Sequence, residues 1–236
     1  MGDIVEYPTN GGSSSRSEGR SGPGQGYLAG PDGAAPGVVV IQEWWGLVPH
    51  IRDVCDRLAA EGFTAFAPDL FHGETTTEPD EAGKLMMALD MDRAAREMVR
   101  AAEFLQAHER THGQGVGGIG FCMGGGLALY LATLSPLVKA AVVFYGAIPW
   151  EQVQPDLSKI EGAVQLHYAE NDDWATPHVG RQTEQQLRQL GVEAELFVYP
   201  GVSHAFFNDA RPEVYDEHAA RQAWVRTLEF LRAKLG

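Results

Sequence analysis

The chain has 236 residues, 44% apolar, 21% charged and 9% aromatic, with 28 Gly, 13 Pro and 2 Cys. Those proportions exclude collagen-like, disulfide-scaffold and wholly disordered classes, and the length suffices for a buried core. Acidic residues number 32 against 18 basic, a formal charge of −14, so phosphate backbones and anionic lipid are repelled and neither nucleic acid nor membrane is an expected partner.

The start, Met1-Gly2-Asp3-Ile4-Val5-Glu6, lacks the basic-then-apolar layout of an export signal. No apolar run nears the roughly 18 residues of a membrane span. Two distant cysteines, Cys55 and Cys122, fit a reducing compartment, so a cytoplasmic protein is expected, as a monomer or small homo-oligomer. Residues 10–26 form a Gly/Ser-rich stretch with little to bury, read as a flexible loop between short extended pieces at Ile4–Tyr7 and Gly26–Ala29.

From Gly37 the pattern becomes regular. Gly37–Gln42 is a β-branched run suited to a strand buried on both faces. Ile51, Val54, Cys55, Leu58 and Ala59 recur at helical spacing until Gly62; Cys55 on this stripe reads as a small core residue. Phe63–Ala67 predicts a strand ended by Pro68, and Asp80–His108 a helical region with Ala94, Met98, Ala102 and Leu105 on one face. Further strands are expected at Val116–Phe121, Lys139–Tyr145, Ala163–Tyr168 and Ala194–Tyr199. Helices fall at Gly124–Leu134, Pro177–Leu190 and Pro212–Leu235, the last burying Ala220, Trp224, Leu228 and Leu231. This alternation, without a composition break, predicts one α/β domain, a doubly wound, mostly parallel sheet with helices on both faces. Ligands of such sheets sit beyond the carboxyl ends of the strands, so chemistry is sought just after each strand.

Three positions answer. Gly120-Phe121-Cys122-Met123-Gly124 joins a strand to a helix as G-x-nucleophile-x-G, with Cys in the nucleophile's place. The helix N-terminus favours a thiolate there. Ala169-Glu170-Asn171-Asp172-Asp173 offers an acid able to orient an imidazole, with Asp172 and Asp173 competing. His204, after the strand ending at Tyr199, is placed as a general base. The order nucleophile, acid, base is that of the α/β-hydrolases. Glu43, in Gln42-Glu43-Trp44-Trp45-Gly46 at another strand end, is costly to bury without a partner. The N–H groups of Trp44 and Met123 are the candidate oxyanion donors. No H-E-x-x-H or paired His spacing marks a metal site, and no cofactor is implied. Aromatics near strand ends, among them Trp44, Trp45, Phe71, Tyr145, Trp150 and Phe206, are candidates to line an apolar pocket.

With these residues in hand, the chain resembles the dienelactone hydrolase family of α/β-hydrolases. The resemblance runs from Gly37 onward through Gln42-Glu43-Trp44-Trp45-Gly46, Pro68-Asp69-Leu70, Gly120-Phe121-Cys122-Met123-Gly124-Gly125 and His204-Ala205-Phe206. It implies a Cys–His–Asp triad on Cys122, His204 and Asp172, oxyanion amides at Trp44 and Met123, and a small ester or lactone substrate cleaved through a thioester. It also implies that Glu43 bonds the resting thiol and shifts when substrate enters. Asp172 is favoured because the family acid stands three residues after a small strand-end residue, here Ala169. The family's two carboxylate-binding arginines are not matched: this chain has Phe71-His72-Gly73 and Asn208 in those places. Trp45, Phe206 and Arg211 are the candidate substrate-binding residues, Arg211 being equally readable as a surface ion-pair residue. The rival reading is a ligand-binding or thiol redox-sensing protein on the same fold.

Overall fold

A computed structural model describes residues 1–9 and 22–236. Residues 10–21 of the expected Gly/Ser-rich loop lie outside the described residues. Strand β1 (Asp3–Tyr7) pairs antiparallel with β2 (Gly24–Ala29), and β2 pairs antiparallel with β4 (Thr64–Pro68). The remaining strands, β3 (Ala35–Ile41), β5 (Thr111–Phe121), β6 (Val138–Phe144), β7 (Ala163–Asn171) and β8 (Ala194–Ser203), run parallel. The sheet order is β1-β2-β4-β3-β5-β6-β7-β8.

The central strands carry Val38–Ile41, Ile119, Phe121 and Val142–Phe144, all buried, as a sheet covered on both faces requires. The covering helices are α1 (Pro49–Ala60), α2 (Pro79–Met87), α3 (Met91–Ala107), α4 (Met123–Leu134), α5 (Pro177–Gln189) and α6 (Glu217–Leu235). Ile51, Val54, Cys55 and Leu58 of α1 are fully buried, as are Ala94, Met98, Ala102 and Leu105 of α3, so the apolar stripes face the sheet.

Three of the boundary differences from the sequence reading have a local cause or consequence; β7 and β8 also run on to Asn171 and Ser203. The helical region Asp80–His108 is two helices, because the Asp90 carboxylate accepts the Arg93 N–H and starts α3 afresh. β5 begins five residues early, at polar Thr111, which pairs with Ala35. The last helix starts at Glu217 under an Asp216 cap, not at Pro212, and its Trp224 is half-buried beneath the Arg57 guanidinium.

One buried carboxylate makes the fold pH-sensitive. Glu97 on α3 has a side chain 7% exposed, with His72 Nε2 at 3.4 Å and Arg93 Nε at 3.8 Å. Its Oε2 has no hydrogen-bond partner among the described residues. Burial raises its pKa from 4.5 to about 7; Arg93 and Arg96 oppose the rise, and Asp69 and Asp90 add to it. A raised folded-state pKa means that the folded chain holds this proton more tightly. The stabilisation is therefore complete below pH 4.5 and is lost as pH climbs through 7. Glu97→Gln cannot ionise. Urea unfolding at pH 5 and pH 8 should show the variant gaining on wild type by on the order of 2 kcal/mol between the two; parallel pH slopes would contradict this.

Candidate active site

Six parallel strands, β3 to β8, end on one rim, and their register decides which residues meet there. Phe121 of β5 is level with Phe144 of β6, so the residues that follow, Cys122 and Tyr145, emerge side by side. Asn171 of β7 is level with Ser203 of β8 after a bulge at Ala169–Asn171, so Asp172 and His204 emerge as neighbours. Ile41 of β3 is level with Gly120, which brings Glu43 alongside Cys122.

The turn at Cys122 is sharp. Its φ of 58° and ψ of −124° put a non-glycine residue in the left-handed half of backbone space, at a cost of about 1–3 kcal/mol. Packing holds it there: the Cys122 N–H donates to Phe144 O at 3.1 Å, and its carbonyl accepts from Gly125 N at 3.0 Å. A Cβ on Gly120 would overlap the Gly124 carbonyl, and one on Gly124 would overlap the carbonyls of Gln42 and Ile41. Strand and helix approach this closely because both residues lack side chains.

The sulfur is nearly enclosed, Cys122 being 6% exposed. Burial and then the Glu43 charge push its pKa well up, and the nearby N–H groups of Met123 and Trp44 only partly oppose the rise. Burial beside a carboxylate thus opposes the thiolate that the helix N-terminus favours, and two amides do not offset the desolvation of a charged sulfur.

His204 Nδ1 lies 2.6 Å from Asp172 Oδ2. The other oxygen, Oδ1, accepts the N–H groups of Trp174 at 2.9 Å and Ala175 at 2.8 Å. Asp172 is 5% exposed, whereas Asp173 is exposed and lines the same cavity without bonding the imidazole. Of the two competing acids, Asp172 is the one on the imidazole. The His204 ring packs edge-on against Tyr145 (4.9 Å between centroids) and Trp174 (5.4 Å).

Glu43 is 1% exposed. Its Oε2 accepts from Asn208 Nδ2 at 2.6 Å and its Oε1 from the Tyr145 hydroxyl at 3.4 Å. Those two donors supply the partner that the sequence required of a buried strand-end carboxylate.

These groups share a cavity of about 520 Å³ lined by Glu43, Trp44, Trp45, Cys122, Asp172 and His204, with Met86, Trp174, Arg211 and Val214 around the mouth. Arg211 lines the cavity and also bonds Glu213 at 2.8 Å, with its guanidinium 5.4 Å from the Trp45 ring centroid. Phe206 is corrected to a core residue. It is fully buried, absent from the cavity lining, and packed on Tyr199 (4.9 Å) and Tyr145 (5.4 Å). Phe71, Tyr145 and Trp150 likewise stay off the wall.

Sequence reasoning missed Asn208 as the partner of Glu43, and Trp174 beside His204. Asn208 is four residues past His204, where the resembling family carries an arginine, and that spacing was the available signal.

The family model described as the dienelactone hydrolase family matches residues 25–235. A "Putative carboxymethylenebutenolidase" of Aquifex aeolicus is 36% identical, with all of both chains covered, and "Protein usf" of Aquifex pyrophilus is also 36% identical over all of both. Among solved structures, a "Putative Dienelactone Hydrolase" of Klebsiella pneumoniae superposes with a TM-score of 0.83 at 27% identity, covering 98% of each chain.

Proposed function

The chain belongs to the dienelactone hydrolase family, and from that premise we propose that it hydrolyses carboxylic esters, lactones or enol esters through a thioester on Cys122. The observation that carries this reading is the Asp172–His204 pair, 2.6 Å apart, sharing one cavity with a cysteine whose sulfur faces two backbone N–H groups.

In this mechanism the Cys122 thiol passes its proton to the imidazole of His204 as the sulfur attacks the carbonyl carbon. The carbonyl oxygen takes the displaced electron pair, and the N–H groups of Trp44 and Met123 hold the oxyanion; one such donor is typically worth about 3–4 kcal/mol. Collapse expels the alkoxide or enolate, which takes the proton from His204. Water then gives a proton to His204 and attacks the thioester, releasing the acid and restoring the thiol. Asp172 holds the ring with its Nδ1–H outward from the sulfur. Glu43, tethered by Asn208 and Tyr145, keeps the thiol protonated until substrate changes its surroundings.

A sulfur this buried, beside a carboxylate, disfavours the redox-sensor alternative, because oxidation follows thiolate character and exposure.

The leaving group provides the test. A thiolate is a good leaving group itself, so the tetrahedral intermediate partitions back unless the ester oxygen departs more readily. Turnover of an enol or aryl ester should exceed that of the matching simple alkyl ester by about 10²-fold or more in kcat/KM, a difference of about 3 kcal/mol, and alkyl amides should not react. Equal turnover of aryl ester and alkyl amide would overturn the proposal.

A further inference from the structure

Behind one wall of the catalytic cavity lies a second cavity of about 440 Å³. The two share Trp45 and Arg211 as lining residues. The second chamber has an apolar part made by Trp45, Val48, Pro49 and Pro79, and polar groups from His50, Asn208 and the Arg211–Glu213 pair also line it. Three loops build it: the segment after β3, the Thr76–Pro79 segment that Thr76 N–H ties to the Trp45 carbonyl at 3.1 Å, and the turn past His204.

The partition is held by weak, partly solvated contacts. The Arg211 guanidinium sits 5.4 Å from the Trp45 centroid and bonds Glu213, a carboxylate 59% exposed. Exposed cation–π contacts and surface ion pairs are among the weakest specific interactions in proteins. A small rotation of Arg211 would join the chambers into one channel leading from Cys122.

Which half of an ester would enter follows from the lining. The leaving oxygen must face His204, yet no residue of the Asn171–Trp174 or Ser203–Ala205 segments around that ring lines the second chamber. The Trp45 side does, one residue beyond the Trp44 amide that would hold the oxyanion. The limb pointing away from the leaving group is the acyl chain.

We propose that this second chamber is the acyl-chain subsite of the ester-cleaving centre, taking an uncharged aliphatic or aryl limb admitted when Arg211 leaves the face of Trp45. The assignment rests on the ester-hydrolysis reading above and extends it to a substrate class. The Trp45, Val48, Pro49 and Pro79 walls suit such a limb because they gain from burying it, and the Arg211 charge is already paired with Glu213.

Thr77 and Ala210 are exposed residues that line this chamber but not the catalytic one. Thr77→Trp and Ala210→Trp should each lower the kcat/KM ratio of p-nitrophenyl octanoate to p-nitrophenyl acetate at least 10-fold, with acetate turnover within twofold of wild type. Arg211→Ala should raise that ratio about threefold or more. A ratio unchanged in both tryptophan variants overturns the subsite. So does a tryptophan effect on octyl acetate against ethyl acetate that spares the octanoate ratio, since the chamber would then hold the alcohol limb. Absence of Cys122-dependent acetate turnover in wild type would instead count against ester hydrolysis itself. Calorimetric binding of octanamide to Cys122→Ala tests the chamber apart from turnover: binding weakened at least 10-fold by Thr77→Trp supports it, and equal binding overturns it.

Discussion

Replacing Cys122 by Ala is expected to reduce kcat/KM for an activated ester by at least about 10³-fold, a loss of about 4 kcal/mol of transition-state stabilisation or more. Covalent catalysis has no ready substitute at this position: Ser203 also lines the cavity, but it ends β8 next to His204 and is not on the elbow turn that precedes the Met123 amide. Glu43 is held by Asn208 and Tyr145. The fold should tolerate the change. Alanine meets the same positive φ as cysteine and leaves the Phe144 and Gly125 backbone bonds intact. A circular-dichroism spectrum and urea midpoint close to wild type would show that the loss is chemical. Activity within tenfold of wild type would remove Cys122 from the mechanism.

Asp172→Asn is expected to cost about 10⁴-fold in kcat, through the wrong tautomer rather than through lost packing. The orientation of the new amide is dictated locally. Oδ1 of residue 172 accepts two backbone N–H groups, from Trp174 and Ala175, so the carboxamide oxygen must stay there. Its NH₂ then faces His204 Nδ1, where the native carboxylate oxygen stood at 2.6 Å. The ring must accept at Nδ1 and carry its proton on the other nitrogen, which leaves no lone pair to take the thiol proton. Nitrogen-resolved NMR of His204 should show the tautomer exchanged in the variant. By contrast Asp173→Asn, at an exposed position off the ring, should leave kcat within about twofold. Equal losses in the two variants would contradict the assignment of the acid.

The sequence carried much of this site because each reactive residue follows a strand with a strong apolar signature. Gly120-Phe121-Cys122-Met123-Gly124 reads as a strand–turn–helix elbow from composition alone. Asp172 and His204 sit in loops whose preceding strands are legible by their β-branched and aromatic runs. What was not legible depends on register and on loop packing. Asp172 and Asp173 differ only in which carboxylate the Trp174 and Ala175 amides turn inward. Tyr145 meets Glu43 because β6 ends level with β5, and pairing register has no local sequence signature. Phe206 looked like a pocket residue from its place beside His204, yet Ala205, at φ 64°, turns the chain so that the ring enters the core. The break between α2 and α3 escaped notice because apolar spacing continues across it while Asp90 resets the helix.

At the sulfur, local and tertiary effects oppose each other. A helix N-terminus stabilises a thiolate by a modest amount in the first turn. Full burial next to a carboxylate opposes it more strongly, and both conditions arise from tertiary packing: Glu43 from β3, Cys122 from β5.

The central claim is a covalent acyl group on one sulfur. Wild-type protein mixed with an aryl ester, quenched in acid within the first turnovers and measured by intact-mass and peptide mass spectrometry, should carry one added acyl mass on the peptide containing Cys122. The adduct should disappear on treatment with hydroxylamine and be absent from Cys122→Ala. Steady turnover with no acyl adduct under rapid quench, or an adduct on any other residue of an active enzyme, would contradict the account.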